Sequence, residues 1–225
     1  MGEDAVQKLR LRNLRVGNKA VNMSVKKKRL TAAQRRTQLL EVGRRVFAKK
    51  GYNGVSVEEI ARAAKVSKPI IYEHFGGKEG IYAVIVDREM DALVQRIATN
   101  IGEGSARQRF EKAVLTFLTY VKDEPDGFAV LTRDAPMTMD GKGMPSVISD
   151  LSQRVGDIFF VQLKAAGMET KVAPVYAHAL IGMVTLVGQW WIENRQLDLE
   201  TVAKHVAAMG WMGLRHMPQE PKFED

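Results

Sequence analysis

The sequence predicts an all-α protein. Apolar residues recur at i, i+3, i+4 and i+7 in one stretch after another, the spacing of a single helix face. Serine or threonine stands where several of these stretches begin and glycine where several end, as helix caps do. No stretch alternates apolar and polar residues in the manner of a half-buried strand. The chain has 225 residues, of which 45% are hydrophobic and 27% charged. That is long enough for one or two packed domains and too apolar for a disordered chain.

Residues 1–30 are mostly polar and carry nine basic against two acidic side chains, ending in Lys26-Lys27-Lys28-Arg29. They read as a disordered basic arm, able to add phosphate contacts or reach a minor groove. No apolar stretch there suits a signal peptide, so no export is expected, and Met23 offers a second possible start. Thr31 can cap a helix to about Lys50, with Leu39, Leu40, Gly43, Val46 and Phe47 as its apolar stripe and Gly51 as its stop.

Next comes the densest signal. Ser56 can cap a short helix, and Glu59 three residues on suggests a capping box. Val57, Ile60, Ala61 and Ala64 form one apolar face. Lys65-Val66 breaks that helix. Ser67 is expected to cap a second one, with Pro69 tolerated in its first turn, where an N–H has no partner. Ile71 and Phe75 fall on its inner side, while Lys68, Tyr72 and Glu73 face out. Two short helices joined this tightly, at about 55–75, have the size of a helix-turn-helix, whose second helix enters the major groove.

Gly76-Gly77 ends the second helix, and a longer one runs from Lys78 to Ile101 with Tyr82, Val86, Met90, Leu93, Ile97 and Ile101 on one side. Further helices are expected from Ser105 to about Lys122, Asp126 to Arg133, Ser146 to Ala166, Val172 to Ile192 and Leu199 to Arg215, with a loop from Asp134 to Met144 and a frayed tail after Met217. Val172 to Ile192 has no charged residue and is long enough for a bilayer. Pro174, His178, Thr185 and Gln189 argue instead for a helix packed inside a protein or against a partner.

Gly51 to Gly80, G-Y-N-G-V-S-V-E-E-I-A-R-A-A-K-V-S-K-P-I-I-Y-E-H-F-G-G-K-E-G, resembles the DNA-binding domain of TetR-type transcriptional regulators: a glycine-aromatic pair, a capped helix with I-A, a V-S turn, a tyrosine with H-F, then a lysine. The resemblance implies a three-helix DNA-binding domain with a helix-turn-helix over 31–91, joined to an all-helical ligand-binding and dimerisation domain over 92–217, with residues 218–225 as a tail. It also implies a cytoplasmic homodimer paired through the last two long helices. Such a dimer acts as a repressor on a palindromic double-stranded DNA operator and is released by a small, largely apolar effector. An architectural or non-specific DNA-binding protein using the basic arm is the alternative.

The charge is distributed to suit DNA at one end. Residues 31–80 hold ten basic against five acidic side chains, and residues 81–225 fifteen against nineteen. Candidate DNA contacts are Ser56 and Ser67, whose helix N-termini favour phosphate, with Lys68, Pro69, Ile70, Tyr72, Glu73, His74 and Lys78. The resemblance assigns phosphate to Tyr72 and His74. Lys68 can meet a base or a phosphate, Ile70 a thymine methyl, and Glu73 a cytosine amine, or else an ion pair orienting Lys68 or a nearby arginine. Lys49, Lys50 and Arg62 read as solvated surface.

No catalytic constellation is present: there is no G-x-S-x-G, Walker-type loop or H-E-x-x-H. Nor are the four histidines spaced as metal ligands, so neither a metal nor a cofactor is expected. With no cysteine, disulfides and thiolate chemistry are excluded. Phe117, Tyr120, Phe128, Phe159, Phe160, Tyr176, His178, Met183 and Trp190 are candidate effector-pocket residues, most of them equally suited to core.

Overall fold

The computed structural model describes residues 30–133 and 147–216. The expected basic arm up to residue 29, the loop from Asp134 to Met144 and the tail after Met217 lie outside them. Among the described residues there are nine α-helices, one 3-10 turn and no strand: α1 Ala32–Lys50, α2 Val57–Ala64, α3 Lys68–Phe75, α4 Lys78–Ile101, α5 Ala106–Asp123, α6 Pro125–Thr132, α7 Val147–Ala165, the turn Thr170–Val172, α8 Ala173–Asn194 and α9 Leu199–Arg215. Bounds differ from the expected ones by a residue or two, as helix ends do.

Two apolar cores organise the helices. The first gathers Leu39 and Phe47 of α1, Ile60 and Ala64 of α2, Ile71 of α3, and Ile81, Tyr82 and Ile85 of α4. Ile60 and Ile71 are fully buried, worth roughly 1.5–3 kcal/mol each. Around Phe47, the rings of Tyr82 and Tyr52 lie edge-on at 4.9 Å and stacked at 6.2 Å. The second core gathers Met90 and Leu93 of α4, Phe117 and Leu118 of α5, Phe128 and Leu131 of α6, Leu151 of α7, Ile181 and Trp191 of α8, and Val202 and Val206 of α9.

Two helices belong to both cores. The first half of α4 lies in the first core, which makes the head, and its second half in the second, which makes the body, with Val86 packed against each. In α6, Val130 and Ala129 face the head while Phe128 and Leu131 face the body. Tyr82 Oη also donates to the Val130 carbonyl at 3.3 Å, and Arg133, just past α6, donates to the carbonyls of Ala48 and Lys49 at the end of α1 at 3.0 and 3.3 Å.

In the body, α5 opens with a complete capping box, the Ser105 hydroxyl accepting from Gln108 N and the Gln108 side chain accepting from Ser105 N. Asp198 caps α9, its carboxylate accepting from Thr201 N at 2.9 Å. The segment Thr170–Asn194 is long and apolar enough to cross a membrane, but Ala177, Ile181, Val184, Gly188 and Trp191 are buried within the body. Of the polar residues noted on α8, His178 and Gln189 are exposed whereas Thr185 turns inward and is buried.

Candidate nucleic-acid interface

The head builds its outward face from local rules. Ser56 sits in extended backbone and its hydroxyl accepts from Glu59 N at 3.2 Å. The reciprocal half of the expected capping box is not made, because the Glu59 carboxylate is drawn to Lys50. α2 stops where expected: Val66 N donates to Ala61 O and Lys65 N to Arg62 O, the Schellman pattern. Lys65 occupies the left-handed region at φ 56°, a conformation that costs a non-glycine residue about 1–2 kcal/mol.

Ser67 precedes α3 but makes no side-chain cap. Pro69 at the second helical position has no N–H to offer, and Ile70 N is taken by the Ser67 carbonyl at 3.1 Å. The helix is held instead from α1. Arg36 donates to the His74 carbonyl at 2.7 Å and stacks over the Phe75 ring at 4.5 Å. Gln38, also on α1, donates to the Ala64 carbonyl at 3.4 Å. Arg36 and Gln38 thus satisfy carbonyls at the ends of α3 and α2, which have no partner within their own helices. Sequence patterning did not single out either residue.

α3 turns directly into α4. Gly76 and Gly77 take φ 74° and 136°, where a side chain would be strained. At Gly80 a Cβ would lie 1.8 Å from the Phe75 carbonyl oxygen, so only glycine lets the first turn of α4 approach α3 this closely.

Among the candidate contacts, Ser56, Ser67, Lys68, Pro69, Tyr72 and Glu73 are exposed, while Ile70, His74 and Lys78 are half-buried. Ile70 leans on the head core, which reduces the surface it can offer a thymine methyl. A Cβ on Gly77 would lie 3.4 Å from the Tyr72 ring, so that ring lies over the turn. The Lys78 ammonium sits 4.1 Å from the centroid of the Tyr52 ring, a cation–π contact that fixes its direction. Lys68 pairs with Glu58 of α2, not with Glu73. Glu73 has no cation partner among the described residues. Lysine and glutamate hold each other charged: the hydrogen bond from Lys68 keeps the Glu58 carboxyl below its usual range, and Glu58 raises Lys68.

The expected effector residues do not converge on one place. Phe117 and Phe128 meet edge-to-face at 6.2 Å and line a small, half-open space with Leu93, Leu131, Leu151, Ile181 and Thr185, of about 20 Å³, room for roughly one water molecule. Tyr120 is buried but belongs to a polar cluster, donating to Glu89 at 3.0 Å. Burial first, then the Glu89 charge, push its phenol up. Phe159 and Tyr176 pair with each other at 6.0 Å, both half-buried, and Phe160 is exposed. The His178 ring nitrogen Nδ1 lies 2.7 Å from the Pro174 carbonyl, one turn back on an exposed face. Met183 packs beside α9, where a Cβ on Gly210 would lie 3.1 Å from its Cε. Trp190 is exposed, while its neighbour Trp191 takes the interior and donates to the Leu197 carbonyl at 2.8 Å. Among the described residues no group of side chains is placed to hold a metal.

Comparison with known proteins follows the same division. Residues 39–85 match the family described as bacterial regulatory proteins, tetR family, and residues 96–223 match the tetracyclin repressor-like C-terminal domain. The HTH-type transcriptional activator FasR of Mycolicibacterium smegmatis is 28% identical over 196 residues, 84% of this chain and 87% of that one. A TetR-like transcriptional regulator from Rhodococcus sp. RHA1 superposes with a TM-score of 0.67 at 25% identity, over 84% of this chain and all of that one. The FadR regulator of Bacillus subtilis, solved with stearoyl-CoA, shares the fold at a TM-score of 0.64 and 16% identity, over 77% of this chain and 96% of that one.

Proposed function

Because the chain belongs to the TetR family of bacterial regulatory proteins, a family of DNA-binding transcriptional regulators rather than enzymes, we propose that it binds an inverted-repeat operator as a homodimer, represses from it, and is released by a small, largely apolar effector. The observation that carries this reading is the outward face of α3. Lys68, Tyr72 and Glu73 are exposed together on a helix whose far side is anchored by Ile71 and whose end is held by Arg36. Residues 31–91 form the DNA-binding domain in this reading and residues 92–217 the effector and dimerisation domain, acting in the cytoplasm with no membrane partner.

Dimerisation is supported by apolar side chains left uncovered on the last two helices. On α8, Leu186 and Trp190 are 67% and 47% exposed, and on α9 Met209 and Met212 are 68% and 58% exposed. Their spacings of four and three residues set each pair on one helix face. Gly182 and Gly213 have open space where a Cβ would stand, which allows close approach of a second helix. The effector site is the space lined by Phe117, Phe128 and Thr185; at about 20 Å³ it must widen to admit a ligand.

The sign of regulation has a second reading. The relative FasR, similar over 84% of this chain, is named an activator, so activation is the alternative to repression. Transcription from a promoter joined to the bound fragment, with and without the protein, separates the two. Nuclease footprinting on genomic fragments tests the reading as a whole. One or a few short inverted repeats are expected, whereas broad protection would mark a non-specific DNA-coating protein.

A further inference from the structure

We propose that Glu58 is a specificity-determining residue of the DNA-reading face, acting by holding Lys68 away from the phosphates of non-cognate DNA. This rests on the DNA-binding reading above and adds a residue that neither the family resemblance nor the sequence pattern singles out.

Lys68 is the first residue of α3, at the end of a recognition helix that meets base edges. A lysine ammonium is a point charge on a flexible stem, free to find any phosphate within reach. Here it is engaged by Glu58, in the first turn of α2. Glu58 is well placed to stay there: the α2 N-terminus favours an acid in its first turn. Both side chains are about half exposed, 46% and 53%, so the pair lies on the surface that faces DNA and is weak enough to be exchanged. The other acids of this face do something else. Glu59 is occupied by Lys50, and Glu73 holds no cation among the described residues.

A random duplex therefore gains a Lys68–phosphate contact only by displacing Glu58. A cognate duplex offers Lys68 a base edge together with the remaining contacts, which offsets the exchange. Glu58 thus lowers non-specific affinity more than operator affinity.

The test uses the full chain and two duplexes of equal length: one enriched by the wild-type protein from sheared genomic DNA, and a shuffled sequence of the same composition. Binding is followed by fluorescence anisotropy across a salt series. Glu58→Gln is expected to tighten binding to the shuffled duplex ~5-fold at physiological salt and to steepen its salt dependence by ~1 unit, the signature of one further phosphate contact. The enriched duplex should change much less. In a Lys68→Ala background the same substitution should leave the salt slope unaltered. Equal tightening on both duplexes, or an effect that survives without Lys68, would mean that Glu58 acts only as a general negative charge, and overturns the proposal. Weakened binding to both would assign Glu58 to α2 stability alone and also overturns it. If the wild type enriches no duplex, the DNA-binding reading itself fails.

Discussion

Glu89 on α4 lies 2.9 Å from Nε of Arg44 on α1, an ion pair that ties the long connecting helix to the first helix of the head. Arg44 reaches on to Glu124, before α6, at 2.6 Å, and Glu89 accepts the Tyr120 hydroxyl at 3.0 Å. Burial pulls the Arg44 guanidinium down, but Glu124 and Glu89 outweigh it and raise its pKa. Three helices and the capping residue of α6 thus meet at one charged cluster. α4 cannot tilt against α1 without disturbing this cluster, so in the proposed reading an effector that moves α4 must also disturb the contact to Glu124 at the start of α6.

Arg44→Met is expected to cost about 1–2 kcal/mol of stability. That is below the 3–5 kcal/mol of a fully buried broken pair, because Arg44 and Glu89 keep 25% and 15% side-chain exposure and solvent screens them. Urea unfolding measures it. A change within error would show that the pair contributes nothing measurable and that the remaining contacts, apolar and hydrogen-bonded, fix the head.

Gly80→Ala tests the joint between α3 and α4. A Cβ there would stand 1.8 Å from the Phe75 carbonyl oxygen, a backbone atom with no rotamer to yield. Overpacking of this kind costs 1–3 kcal/mol or more. The variant should melt at lower temperature and bind DNA more weakly than its folded fraction explains, since α3 is displaced. Wild-type melting would contradict the close approach.

Lys78→Ala and Tyr72→Phe separate positioning from sequence readout. Both should weaken binding to all duplexes alike, and Lys78→Ala should also reduce the salt slope by ~1 unit. Tyr52→Leu, which removes the ring beneath the Lys78 ammonium, should leave that slope intact while lowering stability. Glu73→Ala should relax preference at one base position by roughly 1–3 kcal/mol if the carboxylate reads a cytosine. Uniform strengthening would mean that it only repels phosphate.

The head was legible in the sequence because its signals are local. Ser56, the Lys65-Val66 break and the Gly76-Gly77 turn each act over fewer than six residues, and the apolar spacing of Val57, Ile60, Ala61 and Ala64 matches the buried face of α2. The misreadings at Ser67 and Glu59 arose where a neighbour removed a donor or drew a side chain away. Arg36–His74, separated by 38 residues, and Arg133–Ala48, by 85, left no pattern at any fixed spacing. The effector set was least legible. A count of aromatic side chains does not tell which point inward, as Trp190 and Trp191 show.

Thr185→Ile tests the space beside Phe117 and Phe128. The substitution replaces the buried hydroxyl by an ethyl group that extends into the ~20 Å³ left there, so it should cost no more than the roughly 1–3 kcal/mol of mild overpacking, with DNA affinity of the folded protein unchanged. Any compound that releases the wild type should bind the variant more weakly. By reciprocity, operator DNA must weaken binding of such a compound to the wild type by the factor with which the compound weakens DNA binding. Titration calorimetry with and without operator checks this. An unchanged response in Thr185→Ile would move the effector site elsewhere in the body.

In the proposed reading, two copies of the α3 face read one operator together. Half-sites for such a dimer lie about one helical turn, ~34–36 Å, or a multiple of it, apart. The most direct measurement is sedimentation of the protein with a duplex carrying the whole footprinted repeat, beside a duplex carrying one half-site. A dimeric reader gives complexes holding an even number of protomers on the whole repeat and a large loss of affinity on the isolated half. Tight binding of a single protomer to one half-site would contradict it.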